Sequence, residues 1–495
     1  MKQVINVPLY FHPPITTKSS RNMTRPTKDP IDKLLKIPIN LTIEKETLSE
    51  LLTIAYPMVV SQGAFAVMIF TDRYFMSLIS PTHMAASLGG GVASFFCMSL
   101  FIGILSYANA LVAQYYGKKE LEKCTRVVTQ GLVLCLGFVP MLLIIGYFVG
   151  SLFSMMGHTA ELEVLERKYF YILIFGSGIG LIKTCFASYF AGIAKTRAVM
   201  IADTLGVAVN IPLTYALIFG VWLFPELGIE GAAYATIISS LFSLIIFMAF
   251  YFQRGHRRRY SVDQSLKFDR GILNRYIRLG VPSGIEMFLN VAAFNLFLLM
   301  FQSYGVVEAA SAAIVFNWDI VSFVPMIGLN VAIISMVGRF VGENNLDRMR
   351  EVMLSGFLIG LVYSSILAIL FVILREPLVA VFLVDSPHSD GILHLSTFMM
   401  IGLASYVMAD AIILITGGIL RGAGDTRWLM WVSILLHWLM LVIQYFVIKV
   451  LGMGPKTAWF VFVVMILVTA LFYAIRLRGE KWRTPEALAR VMAEQ

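Results

Sequence analysis

The chain alternates between long apolar stretches and short polar segments. The apolar stretches lie at about residues 47–76, 88–113, 127–152, 169–193, 198–222, 231–253, 275–303, 309–337, 352–374, 392–419, 428–449 and 457–475. Each has the ~20 residues that a helix needs to cross a hydrocarbon core. Strands of a transmembrane β-barrel would instead alternate over ~10 residues. The pattern predicts an all-α polytopic membrane protein with twelve spans, which we number 1 to 12 in chain order.

Composition supports this prediction. Of the 495 residues, 58% are hydrophobic and 14% are charged, whereas soluble proteins carry ~25% charged residues. So little charge cannot cover several soluble globules, and a disordered chain would need low hydrophobicity and high charge. The net charge of +9 would suit nucleic acid only if the basic residues were clustered on a soluble module.

The basic residues instead lie between the spans. Of the 39 Lys and Arg, 32 fall in the two termini and every second loop, and 5 in the intervening loops. Because cytoplasmic loops are enriched in Lys and Arg, we expect both termini and the 254–274 loop to face the cytoplasm, in a bacterial inner membrane. The cluster Arg254, Arg257, Arg258 and Arg259 is then a topological anchor against membrane lipid, and no nucleic-acid partner is expected.

The chain contains an internal repeat of a six-helix unit. Pro57 and Pro282 are 225 residues apart, and so are the segments Val112–Gly117 and Val337–Gly342; Gly192–Arg197 and Gly422–Arg427 are 230 apart. Six helices is an even number, so both copies run in the same sense through the membrane. The repeat predicts two parallel lobes around a central cleft, related by an axis along the membrane normal, with the substrate between them.

These features define the predicted organisation. A flexible cytoplasmic tail (1–45) precedes an N-lobe (46–253, spans 1 to 6), a basic cytoplasmic linker (254–274), a C-lobe (275–478, spans 7 to 12) and a cytoplasmic C-terminal tail (479–495). Thr47-Leu-Ser-Glu50 has the spacing of a capping box at the start of span 1. Gly192 and Gly422 are expected to end spans 4 and 10 in the left-handed conformation.

Five of the 30 acidic residues lie within the predicted spans: Asp72, Asp203, Glu286, Asp319 and Asp410. A charge at the bilayer centre costs ~2.5–3.5 kcal/mol, so such residues face a cavity or a partner. A carboxylate there can be neutralised by a proton or by Na⁺. Asp203 is near a span end, and Asp72 is followed by Arg73; the other three have no adjacent basic residue.

Other polar residues within the spans have two open interpretations. Lys183 is the one deep cation on this pattern and is expected to pair with Asp203 or Asp72. Asn210, Gln62, Asn290 and Asn317 either line a polar cavity or hydrogen-bond between helices. His437 in span 11 titrates near neutral pH when unperturbed, and a structural role is the simpler interpretation.

The sequence resembles the multidrug and toxic compound extrusion (MATE) family from about residue 45 to 478. The matching stretches are Tyr56-Pro57, Phe70-Thr-Asp72, Val112-Ala-Gln114, Asn210-Ile-Pro-Leu, Gly228-Ile-Glu-Gly231, Leu279-Gly-Val-Pro282, Val337–Gly342 and Leu420–Arg427. The resemblance implies a transporter with two six-helix lobes forming a V-shaped cleft. It also implies export of organic, often cationic, compounds, driven by inward Na⁺ or H⁺.

The resemblance also carries individual residues. Asp72 matches the coupling acid of span 1, and Asn210 matches the asparagine of span 5. Glu286 and Asp410 match the cation site of the C-lobe in NorM-like members, which makes them candidate Na⁺ ligands. Thr214 stands where DinF-like members carry Asp, which favours the NorM-like branch. Asp319 has no assigned counterpart, so it either joins the C-lobe site or contacts substrate.

Three alternatives remain at this level. A flippase of a lipid-linked or other specific metabolite belongs to the same superfamily, but it would need a cation-rich cavity for phosphate. A membrane enzyme would need His, Cys and acidic residues clustered near one membrane face, and the seven His are scattered. A channel would need a ring of identical groups. We therefore expect a transporter rather than an enzyme, acting as a monomer, with Na⁺ or H⁺ as coupling ion and no other cofactor.

Overall fold

The computed structural model describes residues 44–155, 159–221, 224–383 and 388–494, so the predicted tail 1–45 lies almost wholly outside the described residues. In these ranges the chain is helical, without a β-strand. Twelve helices within them are long and apolar enough to cross a membrane, which confirms the twelve predicted spans. The chain from Ile43 onward forms one compact unit.

We label the helices in chain order. The first half contains α1 (Lys45–Ile79), α2 (Pro81–Ser106), α3 (Ala108–Gly117), α4 (Leu121–Leu152), α5 (Ala160–Gly192), α6 (Thr196–Phe219) and α7 (Ile229–Phe252), followed by α8 (Arg254–Arg259). The second contains α9 (Arg270–Gln302), α10 (Val306–Gly342), α11 (Leu346–Ile373), α12 (Arg375–Ala380), α13 (Ser389–Ala423), α14 (Thr426–Tyr445), α15 (Pro455–Arg478) and α16 (Pro485–Met492). Spans 1 to 6 are α1, α2 with α3, α4, α5, α6 and α7; spans 7 to 12 are α9, α10, α11, α13, α14 and α15.

The helices extend beyond the apolar stretches because polar residues can continue a helix outside the hydrocarbon. Span 7 begins at Arg270 rather than at 275, and span 10 continues to Ala423 rather than ending at 419. Span 1 begins at Lys45, and its N-cap makes no side-chain hydrogen bond. The predicted capping box is therefore wrong. The Thr47 hydroxyl donates to Glu351, and Glu50 pairs with Arg339, so both residues join span 1 to the second half.

The repeated glycine motifs mark the crossing of spans 2 and 8. Gly117 and Gly342, which are 225 residues apart, lie against each other at the ends of these spans. A Cβ on Gly117 would overlap the carbonyl oxygen of Arg339, and a Cβ on Gly342 would overlap that of Gln114. Only glycine allows the two backbones to approach this closely.

The other repeated glycines pack in the same symmetric way. Gly192 and Gly422 do not end their helices in the left-handed conformation as predicted. They are helical residues at the C-terminal ends of spans 4 and 10, where a Cβ would press on Val112 of span 2 and Val337 of span 8 respectively. The positive φ angles occur two residues later, at Ala194 (59°) and Gly424 (87°). Close packing, rather than a turn, therefore explains the glycines.

Both halves use equivalent helices to meet each other. Span 2 packs on span 7 where Gly103 faces Gly284, and span 8 packs on span 1 where Gly328 faces Val59. The positions 103 and 328, and 59 and 284, are again 225 apart. This pairing is the two-fold arrangement of parallel repeats that the sequence predicts.

The polar contacts between the halves lie toward one end of the bundle. We call this end the basic face; spans 1 and 7 begin there, spans 6 and 12 end there, and α8 and α16 lie there. The Tyr276 hydroxyl donates to the Leu105 carbonyl (2.7 Å), and the Ser335 hydroxyl to the Ala191 carbonyl (2.7 Å). Glu50 and Arg339 form a two-pronged ion pair (2.7 and 3.1 Å). The halves are therefore closed against each other at the basic face.

Candidate functional site

In the first half, Asp72 lies in a cage of neutral oxygen groups. Its carboxylate is only 8% exposed and accepts hydrogen bonds from the hydroxyls of Thr214 (3.1 Å) and Thr236 (3.3 Å). Asn210 donates to Ser239 (3.4 Å), and its buried side-chain oxygen has no hydrogen-bond partner. Spans 1, 5 and 6 thus bring together one acid, three hydroxyls and one amide.

Helical spacing explains this cluster. Asn210 and Thr214 are four residues apart on span 5, and Thr236 and Ser239 are three apart on span 6, so each pair shares a helix face. The sequence indicated Asp72 and Asn210 but missed Thr236 and Ser239. Their i, i+3 spacing within an apolar span is the only signal that could have found them.

The other acid of the first half forms an ion pair. Asp203 of span 5 lies 3.0 Å from the ammonium of Lys183 of span 4, and it also accepts a hydrogen bond from Ser61 of span 1. Lys183 therefore has Asp203, not Asp72, as its partner. Because the charges compensate each other, this pair carries no net charge.

In the second half, Glu286 of span 7 forms an ion pair with Arg421 of span 10. The distance from Nη2 to Oε1 is 2.7 Å, and Glu286 is 2% exposed. Its second oxygen is buried without a hydrogen-bond partner. The prediction that Lys183 is the one deep cation is therefore wrong, and Glu286, which has no adjacent basic residue in the sequence, finds its partner on another helix.

Two features of span 10 allow this pairing. The helix continues four residues past the predicted end, which brings Arg421 inside it. The side chain of a helical residue points toward the helix N-terminus, and Gly417, one turn earlier, leaves room for the guanidinium: a Cβ there would lie 3.2 Å from Arg421 Nη1. The charge thus reaches deeper into the membrane than its position in the sequence suggests.

Neutral polar groups surround the Glu286–Arg421 pair. Asn290, one turn after Glu286, donates to the Ser433 hydroxyl of span 11 (2.8 Å). His437 bonds through Nδ1 to the Ser433 carbonyl (2.8 Å), which is a local helical contact. Tyr473 of span 12 lies close enough to Glu286 and Arg421 to interact electrostatically. Spans 7, 10, 11 and 12 therefore all contribute to this cluster.

The remaining two acids of the second half face each other. Asp410 of span 10 is close enough to Asp319 of span 8 for their charges to interact. Asp319 accepts a hydrogen bond from Ser322 (3.1 Å). Tyr406, one turn before Asp410, lies beside both carboxyls, although its buried hydroxyl makes no hydrogen bond of standard geometry. Asp319 thus belongs with Asp410.

The second half therefore contains two separate acidic clusters. Asp410 and Arg421 are eleven residues apart on span 10, which is ~16 Å along a helix. Within the described residues, neither Asp319 nor Asp410 forms an ion pair, whereas Glu286 does. Two facing carboxylates in a low-dielectric region repel each other unless a proton or a cation lies between them. Asp319 and Asp410 are therefore the strongest candidates for binding a cation in the second half.

The other candidate residues lie outside these clusters. Gln62 is partly exposed next to Ser61 in span 1. Asn317 is exposed, and its amide donates to the carbonyl of Ala313 in the same helix (2.8 Å). Over the described part of the chain, no group of three or more His, Cys, Asp or Glu side chains could hold a metal ion.

Comparisons with known proteins agree with this architecture. The chain is 28% identical over 448 residues to the probable multidrug resistance protein NorM of Pasteurella multocida (strain Pm70), covering 89% of this chain and 96% of the relative. Its fold matches that of a MOP superfamily transporter from Pyrococcus furiosus with a TM-score of 0.81 at 19% identity, covering 88% and 97% of the two chains. It also matches the eukaryotic MATE transporter AtDTX14 with a TM-score of 0.79 at 18% identity, covering 90% and 99%.

The family model named MatE matches the chain twice, over residues 57–216 and 282–446. The two matches begin 225 residues apart, at the prolines that open the repeat, and each covers most of one half. Together they account for more than half of the chain. The chain therefore belongs to the MatE family, whose members are integral membrane transporters and not enzymes.

Proposed function

We propose that this transporter exports small organic compounds, mainly cations, in exchange for inward Na⁺ or H⁺ by alternating access. The observation that carries the proposal is the neighbouring pair Asp319 and Asp410 within the spans, for which the described residues offer no ion-pair partner. Family members use ion gradients for coupling. The name of the Pasteurella relative, a probable multidrug resistance protein, supports drug-like substrates.

In this proposal Asp319 and Asp410 are the primary coupling site. Binding of one proton or one Na⁺ reduces the charge of the pair and allows spans 8 and 10 to pack more closely. The ion can drive transport only if it binds the two conformations with different affinities. Spans 8 and 10 pack against each other over much of their length, so a change in their spacing is transmitted to the rest of the second half.

Glu286 acts at a later step of the transport cycle than Asp319 and Asp410. Arg421 already neutralises the charge of Glu286, so a free cation must displace the Arg421 guanidinium in order to bind Glu286. Its unpaired second oxygen offers an acceptor to a substrate that enters from the cleft. We therefore place Glu286 with Asn290 in substrate exchange, coupled to movement of Arg421.

The Asp72 cage is the second cation site in this proposal. Na⁺ in transporters is coordinated by oxygen atoms. Asp72, Thr214, Thr236 and the unpaired oxygen of Asn210 offer carboxylate, hydroxyl and amide oxygens within one cluster. A proton on Asp72 would satisfy the same site, so the cage accommodates either ion.

The arrangement of the halves corresponds to the outward-facing state if the basic face is cytoplasmic, as the distribution of Lys and Arg indicates. The halves are closed at the basic face by contacts such as Glu50–Arg339. Toward the opposite face, large apolar side chains of spans 1 and 7 are exposed, among them Phe70 and Leu299. Export then requires the basic face to open and the opposite face to close.

The charge balance weighs against the flippase alternative. A lipid-linked phosphate needs an available cation, and two of the cations within the spans are already paired. Lys183 is bound to Asp203 and Arg421 to Glu286. The acids without a counter-charge favour a cationic substrate instead.

Efflux of a cationic dye from proteoliposomes tests the proposal. We expect transport under an imposed Na⁺ or pH gradient, and its loss in Asp319→Asn and Asp410→Asn. The control is Asp263→Asn, which removes an exposed acid of the linker that pairs with Arg257. Dye efflux at the wild-type rate in Asp410→Asn, or efflux that ignores both gradients, would contradict the proposed coupling.

A further inference from the structure

The C-terminal helix α16 bridges the two halves at the basic face. Its apolar side chains belong to different clusters. Leu488 is buried in an apolar cluster to which spans 8 and 10 contribute most residues, whereas Val491 packs against the core of the first half. Gly424, just after span 10, accommodates Val491, because a Cβ at this glycine would collide with it. One short helix thus contacts both sides of the interface.

A buried arginine depends on this segment for its hydrogen bonds. Arg275 of span 7 is completely buried, and its Nε donates to the Val491 carbonyl (2.8 Å). Its guanidinium also contacts the Gln114 side chain and the Met492 sulfur and lies over the ring of Tyr115. Because a buried charge without partners is costly, undocking of α16 must be accompanied by hydration of Arg275.

The end of the segment is attached to both halves. Arg278 of span 7 donates to the carbonyls of Ala493 (2.7 Å) and Arg490 (3.3 Å). On the other side, Lys123 of span 3 pairs with Glu494 (2.8 Å). Arg278 of the second half and Lys123 of the first half thus bind neighbouring residues at the end of this segment.

We propose that residues 480–494 form a strap that holds the basic face closed and that must release before this face can open. The proposal rests on the alternating-access cycle described above. The strap suits this role because its single eight-residue helix lies outside the spans, and its ion pair is partly exposed and therefore weak. It can detach without unfolding a span. Removal of the strap shifts the conformational equilibrium toward the state that is open at the basic face.

Two neighbouring positions on α16 provide a matched test. Leu488 is buried and Ala489 is exposed, so Leu488→Asp undocks the helix, whereas Ala489→Asp adds the same charge at the surface. Spin labels on Arg197→Cys and Arg427→Cys report the separation of the halves. These positions are exposed, symmetry-related and located at the first turns of spans 5 and 11. The four native cysteines are buried and so are poorly accessible to the label.

We expect Leu488→Asp to increase the long-distance population on the order of tenfold, since the lost contacts favour only the closed state. Ala489→Asp should leave the distance distribution at that of the parent. Equal distributions in both variants would overturn the strap. This readout is independent of transport, so failure of the proposed export would show in the dye assay while the distances still tested the strap.

A cross-link provides the opposite perturbation if Leu488→Asp does not fold. Lys123→Cys with Glu494→Cys, joined by a reducible bis-methanethiosulfonate reagent, ties the strap to span 3. We expect loss of the long-distance population and of efflux, with recovery of both after reduction. Unchanged distances and efflux in the cross-linked protein would show that the strap need not move, and would overturn the proposal.

Discussion

The two halves share a fold but treat their intramembrane acids differently. Each half contains one ion pair, Lys183–Asp203 in the first and Glu286–Arg421 in the second. Each also contains an acidic site that forms no ion pair with any of the described residues. In the first half this site is the single carboxylate of Asp72 among hydroxyls, and in the second it is the facing pair Asp319 and Asp410.

This difference shows that two repeats of one fold can place their buried carboxylates in different electrostatic environments. A single carboxylate can be stabilised by hydroxyl donors in its ionised form. Two facing carboxylates cannot, because their mutual repulsion requires a proton or a cation. In the proposed mechanism the second half therefore closes only with an ion bound, whereas the first half can close with its acid hydrogen-bonded.

The largest effect is expected from separating Glu286 and Arg421. Arg421→Met leaves an unpaired charge on a buried glutamate, a change that destabilises proteins by ~3–5 kcal/mol. We expect a marked drop in the thermal unfolding midpoint in detergent. The double variant Glu286→Gln with Arg421→Met should recover most of that loss, and additive losses from the two substitutions would show that the pair is not coupled.

The next largest effect compares the two sites without a counter-charge. Asp410→Asn should lower gradient-driven efflux at least ~tenfold, which corresponds to ~1.4 kcal/mol. Asp72→Asn should lower it less, since Asn can keep both the Thr214 and Thr236 contacts. Parallel efflux measurements at one protein density give this ratio, and a larger loss in Asp72→Asn would transfer the main coupling role to the first half.

A smaller effect is expected from the ion pair of the first half. Lys183→Met should destabilise the protein by ~1–2 kcal/mol, less than Arg421→Met, because an unpaired buried charge is costly in proportion to its burial. Asp203 is more exposed than Glu286 (17% against 3% for the side chains) and keeps its bond from Ser61. Unfolding midpoints of the two variants, measured side by side, test the order.

The smallest effect concerns the segments that follow each half. In the linker, burial together with Lys195 and Arg259 lowers the pKa of His256 to about 4. Its ring stacks on Tyr260 and hydrogen-bonds Tyr189. Between about pH 6.5 and 4, His256 is protonated in the unfolded chain but neutral in the folded chain. The free energy of unfolding is therefore largest above this pH range and falls as the pH drops through it.

This loss should be on the order of 1 kcal/mol. His256→Phe keeps the aromatic packing and should flatten the dependence of the unfolding midpoint on pH between 6.5 and 4. The strap after the second half contains no histidine. If the parent and His256→Phe showed the same dependence of the unfolding midpoint on pH, His256 would not be its cause.

Sequence reasoning worked well where the membrane imposes the answer. The twelve spans follow from the cost of exposing polar backbone to lipid, and the motif spacing of 225 residues recurs in the packing of Gly117 on Gly342. It was less reliable at the helix ends, where no such cost applies. Because the predicted span 10 ends at residue 419 and the helix continues to Ala423, the prediction did not place Arg421, the partner of Glu286, within a span.

The candidate site was only partly predictable for the same reason. All five intramembrane acids were identified, because any charge in an apolar run is conspicuous. Their partners lie on other helices, at separations of 135 residues for Glu286 and Arg421 and 142 for Asp72 and Thr214. No local pattern encodes such distances, and hydroxyl residues such as Thr236 are common in spans of any function.

The sequence by itself determined that this is a duplicated, twelve-span helical membrane protein with five acids inside its spans. Apolar run length, charge distribution and repeat spacing are linear properties, so they can be read without a fold. Only the tertiary structure decided which acids are neutralised by a neighbouring cation and which, within the described residues, have no ion-pair partner. That division depends on side chains that meet across helices, and the packing of the two halves sets their distances.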